Sequence, residues 1–384
     1  MLTSTDSAGA LTTEHIFQVV FSALSKLPAT PGIEEFPVHA IPQGNEPRWL
    51  ILGDPQKALP VLRSWRPWNL GSRFRWDAVL FAAYINLLPL LPGMTSGRAF
   101  IDASYWRRSL PEFPEKWNAV VHVGNRSHTR KAIVFFLGGD QRVRYVAKVP
   151  LVPGAAQAIS NEAAILLRMK AFEYLPRVLF QDAVRGVAAQ SWLDGKPVSR
   201  GFTAAHVDLL SSLVNPGSTV VVSDRRAEIV AQLDELDLPF DRSLLARAVE
   251  LLSFDQPLQG FVEHRDFAPW NLKWLRDGRL GLLDWEWSLA DSLPWQDICR
   301  FFYLEDALFN GSGKVWEAMT GNPLLLSYLR RFAILPEALP ALTMHYLLRI
   351  LCMDWQSGNV RLAQYTFRQI QSLLDTCRNE VAMS

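Results

Sequence analysis

Three side chains in the last third of the chain have the types and spacing of a metal-assisted reaction. Asp266 stands five residues before Asn271, and Asp284 closes an apolar run, Leu280-Gly-Leu-Leu-Asp284. Between them lies Asp277-Gly278, the preferred two-residue turn of a tight hairpin because both positions tolerate positive φ. With those two residues as the turn, Arg276 pairs with Arg279 and Leu275 with Leu280. The register continued outward sets Asn271 opposite Asp284. Opposed residues of an antiparallel pair lie ~4.5–5.5 Å apart and share a face. An amide oxygen and a carboxylate brought together in this way suit Mg²⁺, which takes oxygen ligands and phosphates. The hairpin by itself is equally compatible with two polar ends at a surface. His264-Arg-Asp-Phe-Ala-Pro-Trp-Asn271 shifts the balance, because it adds the acid Asp266 and stiffens the loop with Pro269. Phosphoryl transfer needs a carboxylate to position the attacking hydroxyl and a metal to neutralise the triphosphate.

The elements that must position these residues can be read from the patterning. Ala119 to Val123, Lys131 to Leu137 and Arg142 to Val149 read as strands, with Gly138-Gly139-Asp140 as the hairpin turn between the last two. A helix from about Ala156 to Phe172 follows. Further strands are expected at Arg177 to Gln181 and Gly186 to Trp192, and the rest reads as helical apart from the short hairpin. Helices are expected after Ser223 and after Asp241, which can cap one. Residues 1 to about 115 read as mostly helical, with one short strand at Trp49 to Leu52. There Thr12 and Thr13 cap a helix carrying Ile16, Phe17, Val20 and Leu24. Trp65, Trp68, Trp76 and Trp106 could form a ligand surface, with core packing as the commoner use. The most apolar stretch, Val79 to Leu91, reads as a buried helix, since it is shorter than the ~20 residues of a membrane span and contains Pro89.

Composition bounds the function classes. The 384 residues are 49% hydrophobic and 20% charged, with a formal net charge of +1, the balance of a globular protein without a nucleic-acid footprint. Cys299, Cys352 and Cys377 have no metal-ligand spacing, and an odd number leaves no complete disulfide set, so a reducing cytoplasm is expected. The N-terminal segment lacks the pattern of a signal peptide.

HRDFAPWN, then LLDWEW, then Pro294-Trp-Gln-Asp297 resembles the aminoglycoside-phosphotransferase and choline-kinase superfamily, over roughly residues 118 to 305. The resemblance implies an α+β, protein-kinase-like two-lobed fold: a small antiparallel-sheet lobe plus a helical lobe, with the N-terminal segment as a mostly helical extension. The corresponding divisions are 1–115, 116–192 and 193–384. It implies ATP and Mg²⁺, with a small-molecule hydroxyl as acceptor. Carried over residue by residue, Asp266 is the catalytic base, and His264, beside Arg265, braces the loop. Asn271 and Asp284 are metal ligands, and Glu286 a further acid near the metal. Asp297 is the structural acid that holds the catalytic loop.

Upstream, Lys148 resembles the lysine that contacts the α- and β-phosphates. Glu162, beside the apolar stripe of Ile159, Ile165 and Leu166, is its expected partner, because a carboxylate turned towards a core needs an opposite charge. Gly124 to Arg130, including Ser127, is the expected phosphate-covering loop, although it has a single glycine. Gln190, Ser191 and Trp192 resemble the hinge that meets adenine. Two departures bear on the branch. Glu286 replaces the glycine of Asp-Phe-Gly, in keeping with small-molecule kinases, and shares a face with Asp284 if the strand continues. Arg265 is reminiscent of protein kinases, but only 13 residues separate Asp284 from Asp297, too few for a long activation loop. Lys196 to Glu263 holds ten acidic and six basic residues, which permits a cationic acceptor without identifying one. Trp270, Trp285, Trp287 and Trp295 could stack on a sugar or hold a quaternary ammonium, with core packing as the commoner use. The rival reading is a pseudokinase that binds nucleotide without transfer.

Overall fold

A computed structural model describes residues 12–21, 33–43, 45–65, 67 and 70–383. It divides into two compact units, Met1–Pro197 and Val198–Ser384. The first is built on an eight-stranded sheet. Its elements in chain order are α1 (Thr13–Phe21), β1 (Ile33–Gln43), β2 (Glu46–Leu52), α2 (Pro55–Ser64), α3 (Leu70–Tyr84), β3 (Thr95–Asp102) and α4 (Ser104–Ser109). There follow β4 (Trp117–Val123), β5 (Lys131–Gly138), β6 (Val143–Pro150), α5 (Pro153–Arg168), β7 (Val178–Asp182), β8 (Val187–Ser191) and the short β9 (Lys196–Pro197).

The strand order β3-β1-β2-β4-β5-β6-β8-β7 is antiparallel throughout. Register sets Trp49, His122, Ile133, Lys148 and Ala188 in one row across five strands. Because side chains alternate between faces, the neighbouring residues build two cores. Leu50, Val121, Val134 and Ala147 pack with α1 and Trp106, whereas Trp49, Ile51, Val120 and Leu137 pack with α2 and α3.

The expectation for residues 1–115 is corrected here. Helices are present, but three strands rather than one come from this segment, and they extend the same sheet that carries Lys148. Thr12 does cap α1, its hydroxyl accepting from the His15 amide at 3.2 Å, and Ile16, Phe17 and Val20 are buried. Leu24 and Trp68 lie outside the described residues. The Val79–Leu91 stretch is not wholly buried: Val79, Ala82, Ala83 and Leu88 face the core, while Phe81 and Leu90 are 63% and 75% exposed. No helix among the described residues is long and apolar enough to cross a membrane.

The second unit is mainly helical. It contains α6 (Ala204–Ser212), β10 (Val214–Val220), α7 (Arg226–Glu235), α8 (Arg242–Glu250), β11 (Leu258–Glu263), β12 (Leu272–Trp274), β13 (Leu280–Leu282) and β14 (Leu289–Ser292). Next come α9 (Gln296–Glu305), α10 (Val315–Thr320), α11 (Pro323–Arg331), α12 (Leu339–Gln356) and α13 (Val360–Met383). Helix α7 follows Ser223 as expected, and the expected cap of α8 holds, Asp241 accepting from the amides of Ser243 and Leu244. The three-stranded sheet β10-β11-β14 was not expected from the sequence. It delivers β11 directly into His264, so the loop beginning there leaves a buried strand.

Helix α6 carries a titration of its own. Thr203 and His206 form a capping box in which the His206 Nδ1 accepts from the Thr203 amide at 3.1 Å, which requires a neutral ring. Burial pushes the His206 pKa down to about 4. The unfolded chain binds a proton below about 6.5 that the folded ring refuses until about 4. This histidine's contribution is therefore complete above pH 6.5 and withdrawn as pH falls towards 4. Denaturant titrations are expected to show about 2 kcal/mol less stability at pH 5 than at pH 7 from this group. His206→Gln should remove that difference, and an unchanged pH slope in the variant would refute the assignment.

Candidate active site

In the first unit, strand β6 and helix α5 bring Lys148 and Glu162 together. The ammonium lies 2.8 Å from Oε1 and 2.6 Å from Oε2 of the carboxylate, with the lysine 4% and the glutamate 2% exposed. Both charges are out of water, where each needs an opposite charge, and the close contact supplies one. Gly124 and Ser127 lie in the turn between β4 and β5, where the Ser127 carbonyl accepts from the Arg130 amide. Gln190 sits opposite Val146 on β6, and Trp192 sets its ring edge-on against Phe135, centroids 5.7 Å apart. The Ser191 amide donates to the Arg177 carbonyl, and its hydroxyl accepts from the Arg177 amide at 2.9 Å. These bonds occupy Ser191, so the backbone contact expected of a hinge does not fall to its N–H.

In the second unit, the loop from His264 to Asn271 is held from several sides. Asp297, on the first turn of α9, accepts from the His264 amide at 2.8 Å and from the Arg265 amide at 2.9 Å. Arg265 adopts φ +67, a left-handed conformation that costs a non-glycine residue ~1–3 kcal/mol unless its surroundings fix it. The His264 Nε2 donates to the Leu283 carbonyl at 2.9 Å, and its Nδ1 accepts from the Asp266 amide at 3.3 Å, so the ring is a neutral brace across the loop. Asn271 then donates through Nδ2 to both the backbone carbonyl and the carboxylate Oδ2 of Asp266, at 2.8 Å each. The nitrogen being used in this way, the Asn271 amide oxygen is the atom left to accept or to ligate.

The expected pairing of Asn271 with Asp284 is wrong by one residue. Leu272 opposes Leu282 and Trp274 opposes Leu280, so Asn271 faces Leu283 and accepts from its amide at 2.9 Å. The cause lies in the turn. Leu275 pairs with Arg279 across a three-residue loop in which Gly278 takes φ +82, and Asp277 accepts from the Arg279 amide. A slip of one residue reverses every facing in a strand pair, and here it removes the direct opposition. Asp284 lies beyond β13 with φ +67, and Glu286 lies in a turn, so the strand does not continue and does not set the two acids on one face. Leu283 instead links the parts, bonding to Asn271 through its amide and to His264 through its carbonyl.

The oxygen-only character of Asn271, Asp284 and Glu286 fits Mg²⁺. Among the described residues no three His, Cys, Asp or Glu side chains gather into a metal cluster.

Arg300 was not anticipated. It lies one helical turn after Asp297, and its Nη2 donates to Asp266 Oδ1 at 2.9 Å, with the arginine side chain 14% exposed. Both carboxylate oxygens of Asp266 are thus engaged, one by Asn271 and one by Arg300. Beneath the loop, Arg349 from α12 forms a buried, two-bonded ion pair with Glu263. Burial pushes the Glu263 pKa up, but the charge and hydrogen bonds of Arg349, with the Arg265 charge and the Ser292 hydroxyl, together outweigh it and bring the pKa down to about 2. Burial, and next the charge of Glu263, push Asp297 up to about 7. Trp285 and Trp295 are core, whereas Trp287 is 40% exposed.

Two outcomes follow from this geometry. Asp297→Asn retains one acceptor and points an N–H₂ at a backbone N–H, so it is expected to cost about 1–3 kcal/mol in denaturant unfolding. Equal stability would show that the two amides do not need the second oxygen. In the first unit, Lys148→Met and Glu162→Gln should each cost about 3–5 kcal/mol. Their double mutant should lose much less than the sum, giving a coupling of several kcal/mol in a double-mutant cycle. A coupling near zero would deny the contact.

No family model and no curated protein matches this chain. Among solved structures it is similar to a type I macrolide 2'-phosphotransferase, with TM-score 0.46 and 15% identity, covering 70% of this chain and 94% of that one. It is likewise similar to a choline kinase from Streptococcus pneumoniae, with TM-score 0.42 and 14% identity over 65% and 92% of the two chains. An aminoglycoside phosphotransferase from Alicyclobacillus acidocaldarius gives TM-score 0.42 and 14% identity over 72% of this chain and 96% of its own.

Proposed function

We propose that this protein is an ATP- and Mg²⁺-dependent phosphotransferase of the aminoglycoside-phosphotransferase and choline-kinase type, moving the γ-phosphoryl group to the hydroxyl of a small molecule. The observation that carries this reading is the Asp266 loop. An acid is placed after a left-handed residue, pinned through Asp297 and His264, and its carboxylate is oriented by Asn271 and Arg300. Such investment in the direction of one carboxylate is what a reaction needs when its protein groups act mainly by positioning.

In this reading Asp266 accepts a hydrogen bond from the acceptor hydroxyl, aligns its oxygen with the γ-phosphorus and takes the proton as the new P–O bond forms. The bond from the γ-phosphorus to the bridging oxygen breaks, and ADP leaves with that oxygen. Lys148, fixed by Glu162, meets the α- and β-phosphates and offsets the charge that grows on the leaving group. Asn271, through its amide oxygen, and Asp284 are the residues that would hold Mg²⁺, with Glu286 close by in sequence. The ion's contribution is neutralisation of phosphate charge. Asp297 and His264 touch neither reactant and act by holding the loop.

Asp266→Asn tests the reading, because it keeps size and hydrogen-bonding reach while removing the charge and the proton acceptor. Binding of Mg·ATP by calorimetry should stay near normal. Transfer of label from ATP to a small molecule in a metabolite extract should fall ~10²–10⁴-fold. Wild-type turnover in the variant would remove Asp266 from the mechanism, and a collapse of ATP binding would place it in the nucleotide site. Asp284→Ala should abolish the Mg²⁺-dependent part of the thermal shift given by ATP. If the wild-type protein binds nucleotide tightly and labels nothing, it acts as a nucleotide-binding module instead.

A further inference from the structure

We infer that Glu46 and Arg48, at the start of β2 in the N-terminal third, are positioning residues for the phosphate-covering loop, and that this segment is therefore part of the nucleotide-binding apparatus. The inference rests on the proposed function, in which the loop from Gly124 to Arg130 meets the phosphates. That loop has one glycine, so its ability to present backbone amides must come from being held in shape rather than from being free to adapt.

Two side chains of β2 do the holding from one side. The Arg48 Nη1 donates to the Val123 carbonyl at 2.7 Å and to Asn125 Oδ1 at 2.8 Å, gripping the point where the chain leaves β4. Glu46 bridges the two arginines of the loop, accepting from Arg126 at 2.9 Å and from Arg130 at 2.7 Å. The second of these bonds is the stronger constraint, since the Glu46 and Arg130 side chains are only 11% and 7% exposed. Arg130 also closes the loop on itself by donating through Nε to the Gly124 carbonyl at 3.1 Å. Without Glu46, the guanidinium groups of Arg48 and Arg130 face one another without the carboxylate between the strand and the loop. Burial, and next the charge of Arg130, already lower the pKa of Arg48.

From the other side the loop abuts α5. The Leu151 amide donates to the Arg130 carbonyl at 3.0 Å, and a methyl group on Gly154 would collide with the His128 carbonyl oxygen. The loop is thus clamped between β2 and the first turn of α5. Binding to a preordered loop avoids the entropic cost of ordering it at the moment of association.

The test uses the full chain with the ATP analogue AMP-PNP and Mg²⁺, read by calorimetry and by amide hydrogen exchange over residues 124–130. Glu46→Gln is expected to speed exchange of the loop amides and to weaken AMP-PNP binding about tenfold, and Glu46→Asp should recover part of both. Unchanged exchange and affinity in a folded Glu46→Gln protein would overturn the inference. So would tighter binding, the result expected if Glu46 merely sequesters Arg126 from phosphate. Should Glu46→Gln fail to fold, Arg48→Lys keeps the charge but not the forked contact, and should weaken binding several-fold; wild-type affinity there would equally overturn it. If AMP-PNP does not slow exchange of these amides in the wild-type protein, the loop does not meet nucleotide. In that event the proposed function loses its phosphate loop and this inference falls with it, whatever the variants do.

Discussion

The carboxylate of Asp297 is the contact on which the second unit's chemistry hangs. It accepts two successive backbone N–H groups, of His264 and Arg265, and so fixes the one stretch of chain that must turn sharply on leaving β11. Successive amides normally point apart along extended chain. Both converge here on one side chain, and the residue that follows, Arg265, takes a left-handed conformation that its surroundings must hold in place. Everything downstream inherits the direction set there: the His264 ring lies against Leu283, the Asp266 carboxylate meets Asn271, and Arg300 arrives from the same helix that supplies Asp297. Helix α9 thus holds the loop's backbone with one residue and its functional carboxylate with another. The Glu263–Arg349 pair anchors the preceding strand in the same interior.

The parts of this arrangement that were legible in the sequence are those determined by short spacing. Asp266 and Asn271 meet because a five-residue loop stiffened by Pro269 leaves them little freedom. Lys148 and Glu162 meet because a strand and the following helix pack directly, and a glutamate beside an apolar stripe needs a cation. The hairpin register failed for a local reason. Asp277-Gly278 serves a two-residue or a three-residue loop equally well in composition, and Gly278 accepts the left-handed conformation that the longer loop requires. One extra residue in the turn was enough to replace Asp284 by Leu283 opposite Asn271. Arg300 was hidden because its partner lies 34 residues away and only the tertiary fold joins them.

Of the N-terminal strands, β2 was expected in part, at Trp49 to Leu52, whereas β1 was hidden by proline. Strand β1, Ile-Glu-Glu-Phe-Pro-Val-His-Ala-Ile-Pro-Gln, contains Pro37 and Pro42, and proline ordinarily argues against a strand inside a sheet. Pro42 escapes that rule because the register shifts at a bulge between Ile41 and Pro42, where a missing N–H is tolerated. The same segment opens on two successive glutamates, Glu34 and Glu35, and its apolar residues are interrupted by Pro37, His39 and Pro42, so it has no continuous apolar run to announce itself. Its value to the fold is that β2 lays Trp49 and Ile51 onto the sheet, and Glu46 and Arg48 onto the loop beside it.

That sheet order imposes a sequence of events on synthesis. Strand β2 bonds to β4, so Trp49 waits for His122, 73 residues further along the chain. At a translation rate of ~5–20 residues per second, several seconds pass before that partner has been made. During this interval β1, β2 and β3 can pair among themselves, but one long edge of β2 stays open, with the apolar Trp-Leu-Ile-Leu run at its end. An open apolar edge is a template for pairing with other chains. The protein's most vulnerable moment is therefore on the ribosome, after its first third has emerged and before the strand that carries His122 arrives to close it.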